Sequence, residues 1–294
     1  MKNSFSNYYY TSENTRIFYT TNFSRETNEV ITKPIVFIYG LVCSNHQWFY
    51  QTPYFDEQGY KIITHDFRGH HASGGKDDID SITFKNITCD LNGLLTHLNT
   101  EKNILVAHSM GVNIALEFAR LFPERVEKLV LISGSVLGPK EIMFNSNVTD
   151  LAFPALKWLS QKAPRPFDFF WKYSYMNPIL RKIVHEGGFN TKTVDRKFIT
   201  AYLKHVSELS YQLFYKLIEE MTDHDIINYI ERIEVPTLLI SGDCDNLIPH
   251  KHQLILKKHL KNTELYIVRN GSHVPQADFP DLVNKRIERF ITKN

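Results

Sequence analysis

A chain of 294 residues and 34.4 kDa is long for one minimal domain and short for two full ones, so one large domain, or a core carrying an insertion, is expected. With 43% hydrophobic and 22% charged residues, the composition excludes disordered, collagen-like and disulfide-dense chains. A formal charge of +2 with no basic run longer than a pair argues against a nucleic-acid partner, and the longest apolar stretch, residues 35–39, falls far below the roughly 20 residues of a transmembrane segment.

In chain order, the alternation Arg16-Ile17-Phe18-Tyr19-Thr20, preceded by the turn formers Ser12-Glu13-Asn14, predicts a leading strand pair within the first thirty residues. The first eight residues hold no apolar core of a secretory signal, so a cytoplasmic location is expected. Pro34-Ile35-Val36-Phe37-Ile38-Tyr39, ending at Gly40, reads as a strand buried on both faces. Similar runs follow at residues 61–65, 103–107, 128–132, 237–240 and 264–268. Helical spacing separates them, with Leu91, Leu94, Leu95 and Leu98 before the third run and Val112, Ala115, Leu116 and Ala119 after it. A last helix carries Leu282, Val283, Ile287, Phe290 and Ile291 behind Pro280. Alternating strands and helices predict an α/β fold with a mostly parallel central sheet flanked by helices.

The alternation breaks after the strand ending near Ile132. From about Pro139 to Asp225 apolar residues recur at helical spacing, and Phe198, Tyr202, Val206, Leu209, Leu213 and Leu217 form one stripe. An all-helical insertion there is expected over the carboxyl ends of the strands, where open α/β sheets bind ligands. The expected division is therefore a core over residues 1–139, a helical cap over 140–225 and the rest of the core over 226–294. Residues 140–222 hold twelve Lys and Arg against eight Asp and Glu, a mild positive bias. Phe144, Phe153, Trp158, Phe167, Phe169, Phe170, Trp171, Tyr173 and Tyr175 crowd one part of the insertion, and either line an apolar acyl pocket or form the insertion's own core.

The chemistry-bearing residues lie in loops after strands. Ala107-His108-Ser109-Met110-Gly111 stands between a strand and a helix with the spacing of a nucleophile elbow, alanine replacing the first glycine. A serine hydroxyl needs a base, and the base needs a group that fixes its tautomer. Ser241-Gly242-Asp243-Cys244-Asp245 follows the fifth core strand and Asn270-Gly271-Ser272-His273 the sixth, on the same sheet edge as Ser109, in the order Ser, Asp, His. Sequence alone does not separate Asp243 from Asp245. His250-x-His252 lacks a third ligand at metal spacing, so neither a metal nor a cofactor is expected. Cys43, Cys89 and Cys244 are an odd set without C-x-x-C spacing, which reads as reduced thiols, and Cys43 and Cys244 have no positioned base that would make them nucleophiles.

Over residues 32–294 the chain resembles the α/β-hydrolase fold family. Tyr39-Gly40-Leu41 resembles its His-Gly-x oxyanion loop, Asp66-Phe67-Arg68-Gly69-His70 its Asp-x-Arg-Gly-His turn, and Gly242-Asp243-Cys244-Asp245 and Gly271-Ser272-His273 its acid and histidine loops. The resemblance implies a triad of Ser109, Asp245 and His273, with oxyanion donors at the backbone N–H groups of Leu41 and Met110, and implies that the insertion is a cap. It also makes His108 a packing residue. Ala107, Tyr39 and Val112 depart from the family pattern, and Tyr39 leaves open the contact that the usual histidine makes beneath the oxyanion loop. The elbow is similar to those of monoglyceride-lipase-like esterases, which implies a small-molecule acyl ester of short to medium chain as substrate. The alternatives are a thioesterase or C–C bond hydrolase on the same triad, or a slow-turnover ligand-binding homologue.

Overall fold

The computed structural model describes residues 1, 4–24, 30–138, 148–178, 188–190 and 192–293. Eight strands form one sheet: β1 (Phe5–Tyr10), β2 (Arg16–Thr21), β3 (Ile35–Ile38), β4 (Ile62–His65), β5 (Asn103–His108), β6 (Val126–Ile132), β7 (Thr237–Gly242) and β8 (Thr263–Val268). The order is β1-β2-β4-β3-β5-β6-β7-β8. β1 and β2 are antiparallel to each other and β2 to β4, and every other pair is parallel. The leading strand pair and the six core runs expected from sequence are all present.

The central strands read as continuous apolar runs because both of their faces are covered. Strand period two sends Val36, Ile38, Leu105, Ala107, Leu129, Leu131 and Leu239 into one core. Their neighbours Ile35, Phe37, Ile104, Val106, Val130, Ile132, Leu238 and Ile240 enter the other. Helices α2 (Phe84–His97) and α3 (Gly111–Leu121) supply Leu91, Leu94, Leu95, Ile114 and Phe118 to the first layer. Helix α1 (Gln51–Glu57) and the C-terminal helix Pro280–Ile291 supply Phe55, Val283, Ile287 and Phe290 to the second. Each such side chain contributes roughly 1.5–3 kcal/mol by leaving water, so the parallel strands are fixed in register well before any polar contact is counted.

Between β6 and β7 lie α4 (Val148–Lys162), α5 (Pro164–Lys172), α6 (Arg196–Ser207) and α7 (Tyr211–Asp223). The single stripe expected from Phe198 to Leu217 is divided here between two helices. The hydroxyl of Ser210 accepts from the amide of Leu213 at 3.1 Å, which caps α7 and breaks the run. Its two halves serve different cores. Phe198 packs with Phe189, Val194, Val274 and Ala277, whereas Leu209, Leu213 and Leu217 join the layer under α3.

The aromatic group of the insertion also needs correction. Phe144 and the side chain of Phe153 lie outside the described residues. Phe167 is buried, and Trp171 donates from Nε1 to the Leu209 carbonyl at 2.8 Å while packing on Tyr211 and Phe214. Trp158, Phe169, Phe170 and Tyr173, however, are 59%, 62%, 73% and 42% exposed, so these four line neither a pocket nor a core. Helical periodicity placed them on helices, but among the described residues of the group only Phe167, Trp171 and Tyr175 find a partner surface.

Candidate active site

Gly40 follows β3, Ser109 follows β5, and the loops after β7 and β8 carry Asp245 and His273, so all four stand at the carboxyl edge of the parallel strands. Ser109 occupies the turn from β5 to α3 with φ of 53°, a left-handed conformation that costs a non-glycine residue about 1–3 kcal/mol. Its amide donates to the Ile132 carbonyl at 2.9 Å, which ties the turn to β6. A Cβ at Gly111 would lie 2.5 Å from the Tyr39 carbonyl, so only glycine lets α3 start this close to β3. The two elbow departures are absorbed by packing. Ala107 is fully buried in the sheet, and the side chain of Val112 fills the space over Gly134, where a Cβ would come within 2.4 Å of it.

The structure brings Ser109, His273 and Asp245 together. Ser109 Oγ lies 3.1 Å from His273 Nε2, and His273 Nδ1 lies 3.0 Å from Asp245 Oδ2. The other carboxylate oxygen of Asp245 accepts from the amides of Leu247 and Ile248 at 2.9 and 2.8 Å. All three side chains are buried. With the carboxylate on Nδ1, that nitrogen carries the proton and donates, which leaves the Nε2 lone pair facing the serine hydroxyl. Asp243, indistinguishable from Asp245 in the sequence, is exposed and does not meet the imidazole. The two loops meet because both carry glycine. A Cβ on Gly242 would sit 2.2 Å from the Gly271 carbonyl oxygen.

The second group of expected residues lies beside this relay. Gly40 and Leu41 form the turn after β3, which pairs with β5 through Ile38 and Ala107. Gly40 stands so near Ser109 that a Cβ on it would be 3.1 Å from the serine Cβ. Val42, a β-branched residue, is held at φ of 45°, so strain is stored in this loop as well. Met110 caps the amino end of α3, where the positive end of the helix dipole lies. Tyr39 does not leave a gap where the family places histidine. Its hydroxyl accepts from the Phe67 amide at 2.9 Å, its ring packs on Phe67, and burial holds its proton on well above the usual phenol range. The turn that begins at Asp66 is anchored in the core by Arg68, which donates twice to Asp90 at 2.7 Å.

Two positioning residues emerge that sequence reasoning missed or undervalued. Buried His108 is held neutral, first by desolvation and then by His273. It donates from Nε2 to the His273 carbonyl at 2.8 Å and accepts on Nδ1 from the amide nitrogen of Gln47. Gln47 Oε1 in turn accepts from the Gly40 amide at 3.0 Å. The histidine loop, the elbow and the turn after β3 are thereby joined by one buried polar chain. His108 is more than a packing residue, and nothing in the sequence marks Gln47, which lies on a short turn far from the elbow. The thiols are poorly suited to act as nucleophiles. Burial pushes Cys43 up to about 12, against the opposing effect of a 2.7 Å contact with the Tyr202 hydroxyl, and Asp243 raises Cys244.

Comparison with known proteins agrees with this architecture. The chain is 26% identical to a putative esterase/lipase of Haemophilus influenzae, over 92% of this chain and 87% of that one. It is 26% identical to a putative non-heme chloroperoxidase of Synechocystis, over 88% and 91%. It is 24% identical to mouse Protein ABHD8 over 87% of this chain, and spans about half, 54%, of that longer relative. Among solved structures, an esterase from Exiguobacterium antarcticum superposes with a TM-score of 0.79 at 17% identity, covering 98% of this chain and all of the other. Among the described residues no helix is long and apolar enough to cross a membrane. The alpha/beta hydrolase fold model matches residues 33–280, and the sheet order and the strand-end loops agree with it, so the chain belongs to the alpha/beta hydrolase fold family.

Proposed function

We propose that this chain is a serine hydrolase that cleaves carboxylic esters of short to medium acyl chains. The observation that carries the reading is the buried relay from Ser109 Oγ through His273 to Asp245, with each partner at hydrogen-bond distance. His273 Nε2 takes the proton of Ser109 as Oγ attacks the acyl carbon. The carbonyl oxygen becomes an anion between the backbone N–H groups of Leu41 and Met110, donors that cost no reorganisation because loop and helix hold them in place. Collapse breaks the ester bond, and His273 returns the proton to the departing alcohol. Water then gives its proton to His273 and attacks the acyl-serine, releasing the acid and restoring the hydroxyl. Helices α4 to α7 act as a cap over this edge, and the likeness to the Haemophilus esterase/lipase supports ester rather than thioester chemistry.

The test is p-nitrophenyl ester hydrolysis across a series of acyl lengths, with Ser109→Ala beside the unaltered chain. Activity that peaks at one acyl length and disappears in the variant is expected. A folded chain with no turnover at any length would overturn the ester reading, and a ligand-induced rise in melting temperature without turnover would replace it with a binding role.

A further inference from the structure

Outside the serine relay, the junction between the insertion and the core gathers a second set of donor groups. His71, from the turn after β4, meets His205 and Glu208, from the end of α6 and the residue beyond it. One donor atom from each lies within 4.8 Å of the others. The His71 and His205 rings are 5.9 Å apart, and His205 Nδ1 is 3.2 Å from a Glu208 carboxylate oxygen. His71 Nε2–H donates to the Cys43 carbonyl at 2.8 Å, which fixes the tautomer and leaves Nδ1 with its lone pair free, the arrangement typical of a metal-bound imidazole. A fourth ring stands beside them. His46 lies 5.6 Å from His205 and is stacked on Phe198, and its Nε2 is buried without a hydrogen-bond partner. The four residues line one cavity of about 420 Å³, whose wall also holds the carboxylate of Asp66.

We propose that His71, His205 and Glu208, with water in the open position, bind a divalent transition-metal ion of the zinc class that clasps helix α6 to the core beside the turn after β3. Imidazole nitrogens with one carboxylate form a borderline donor set that suits zinc, copper or nickel and not magnesium or calcium. Zinc with ligands at about 2.1 Å spaces them about 3.4 Å apart in a tetrahedron. The set therefore closes on the ion by small rotations of His205 and Glu208, which are partly exposed, at 38% and 45% of their side chains. The clasp joins segments far apart in sequence. It would restrain the insertion where Tyr202 of the same helix already touches Cys43 at 2.7 Å.

The decisive experiment is calorimetric titration of the tag-free, chelator-stripped full chain with zinc chloride. One ion per chain is expected, with a rise in melting temperature on saturation. His205→Ala and Glu208→Gln change part-exposed side chains, so the fold should persist. Each should weaken binding by at least the roughly 10–100-fold that follows loss of even a supporting group around a metal. Cobalt(II) should give visible absorption bands that fade in the same variants. His250→Ala should bind zinc as the unaltered chain does. Absence of saturable binding, or binding that survives His205→Ala combined with Glu208→Gln, would overturn the assignment, as would loss of the ion in His250→Ala.

Discussion

The carboxyl edge of the sheet and the helical insertion between β6 and β7 place side chains by different means. Ser109 follows a fully buried strand, and Asp245 and His273 are buried side chains in the loops after the last two strands, which are tied through Gly242 and Gly271. Backbone register sets these positions. In the insertion Phe169 and Phe170 project from α5 into solvent, and only Phe167 and Trp171 of that helix find partners. The same residue types thus hold the core together and do little on the outer face of α5. Substitutions at the sheet edge should be decided by chemistry, and those on the outer face of α5 should be nearly silent.

The sharpest test of that contrast pairs two aspartates two residues apart. Asp245→Asn keeps an oxygen for the amides of Leu247 and Ile248 but can stabilise the wrong imidazole tautomer, and should lower kcat by about 10⁴-fold. Asp243→Asn, at an exposed position, should leave kcat within about twofold. Ser109→Ala should cost at least as much as Asp245→Asn. Ester kinetics on the three variants, with melting temperatures as a control for folding, would break the comparison if Asp243 proved the costlier aspartate.

A smaller effect probes the polar chain behind the edge. Gln47→Ala removes the acceptor of the Gly40 amide and the donor to His108, leaving buried groups unpaired at a cost of about 1–3 kcal/mol. Stability measured by urea unfolding should fall by that amount. The rate with ester substrate should fall with little change in KM, because the loss loosens the turn after β3 and the histidine loop and not the acyl contacts.

How far these features were legible depends on their range in sequence. The parallel strands announced themselves because residues buried on both faces leave an uninterrupted apolar run, and the leading hairpin because one face alternates. Ser109 and His273 were legible because each falls in a short loop with a recognisable turn chemistry, whereas Asp245 was set apart from Asp243 only by the family resemblance. Gln47 was not legible, since its partner His108 lies on another strand-end loop and no local pattern reports the contact. The break at Ser210 was hidden by the stripe itself, because apolar spacing continued across a cap that is a single hydroxyl. His205 and Glu208 stand three apart at one helix end, but no spacing ties them to His46 or His71. The four are neighbours only because α6 folds back over the turn after β4.

Asp278 links the two regions and gives a pH signature. It is buried, accepts from the Ser272 amide at 2.5 Å beside His273, and accepts from the Asn190 amide of the insertion at 3.3 Å. Burial raises its carboxyl from 3.8 to about 6, with the two amides opposing and the charge of Asp245 adding to the rise. Between about pH 4 and pH 6 the folded chain therefore keeps a proton that the unfolded chain has released, so this group's contribution to stability falls as pH rises through that window and is level above it. Asp278→Asn lacks the ionisation. The variant should gain on the order of 2 kcal/mol relative to the unaltered chain between pH 4 and pH 7, read from urea unfolding at both values. Parallel pH profiles for the two proteins would show that Asp278 ionises freely in the fold.

The smallest expected effect lies on the outer face of α5, and it tests the comparison from its silent side. Phe170 is 73% exposed and Phe169 62%, the two rings meeting edge-on and Phe169 lying against Tyr173. Replacing both by serine removes little buried surface, so stability should stay within about 0.5 kcal/mol per site. Truncation of a fully buried core ring such as Phe37 to alanine should by contrast cost about 3–5 kcal/mol. Equal solubility and melting temperature in the double serine variant would place these rings outside the folding energetics altogether. A destabilisation approaching the core value would mean that the outer face of α5 is covered in solution, and the distinction between an edge fixed by register and an insertion fixed by a few contacts would then fail at this helix.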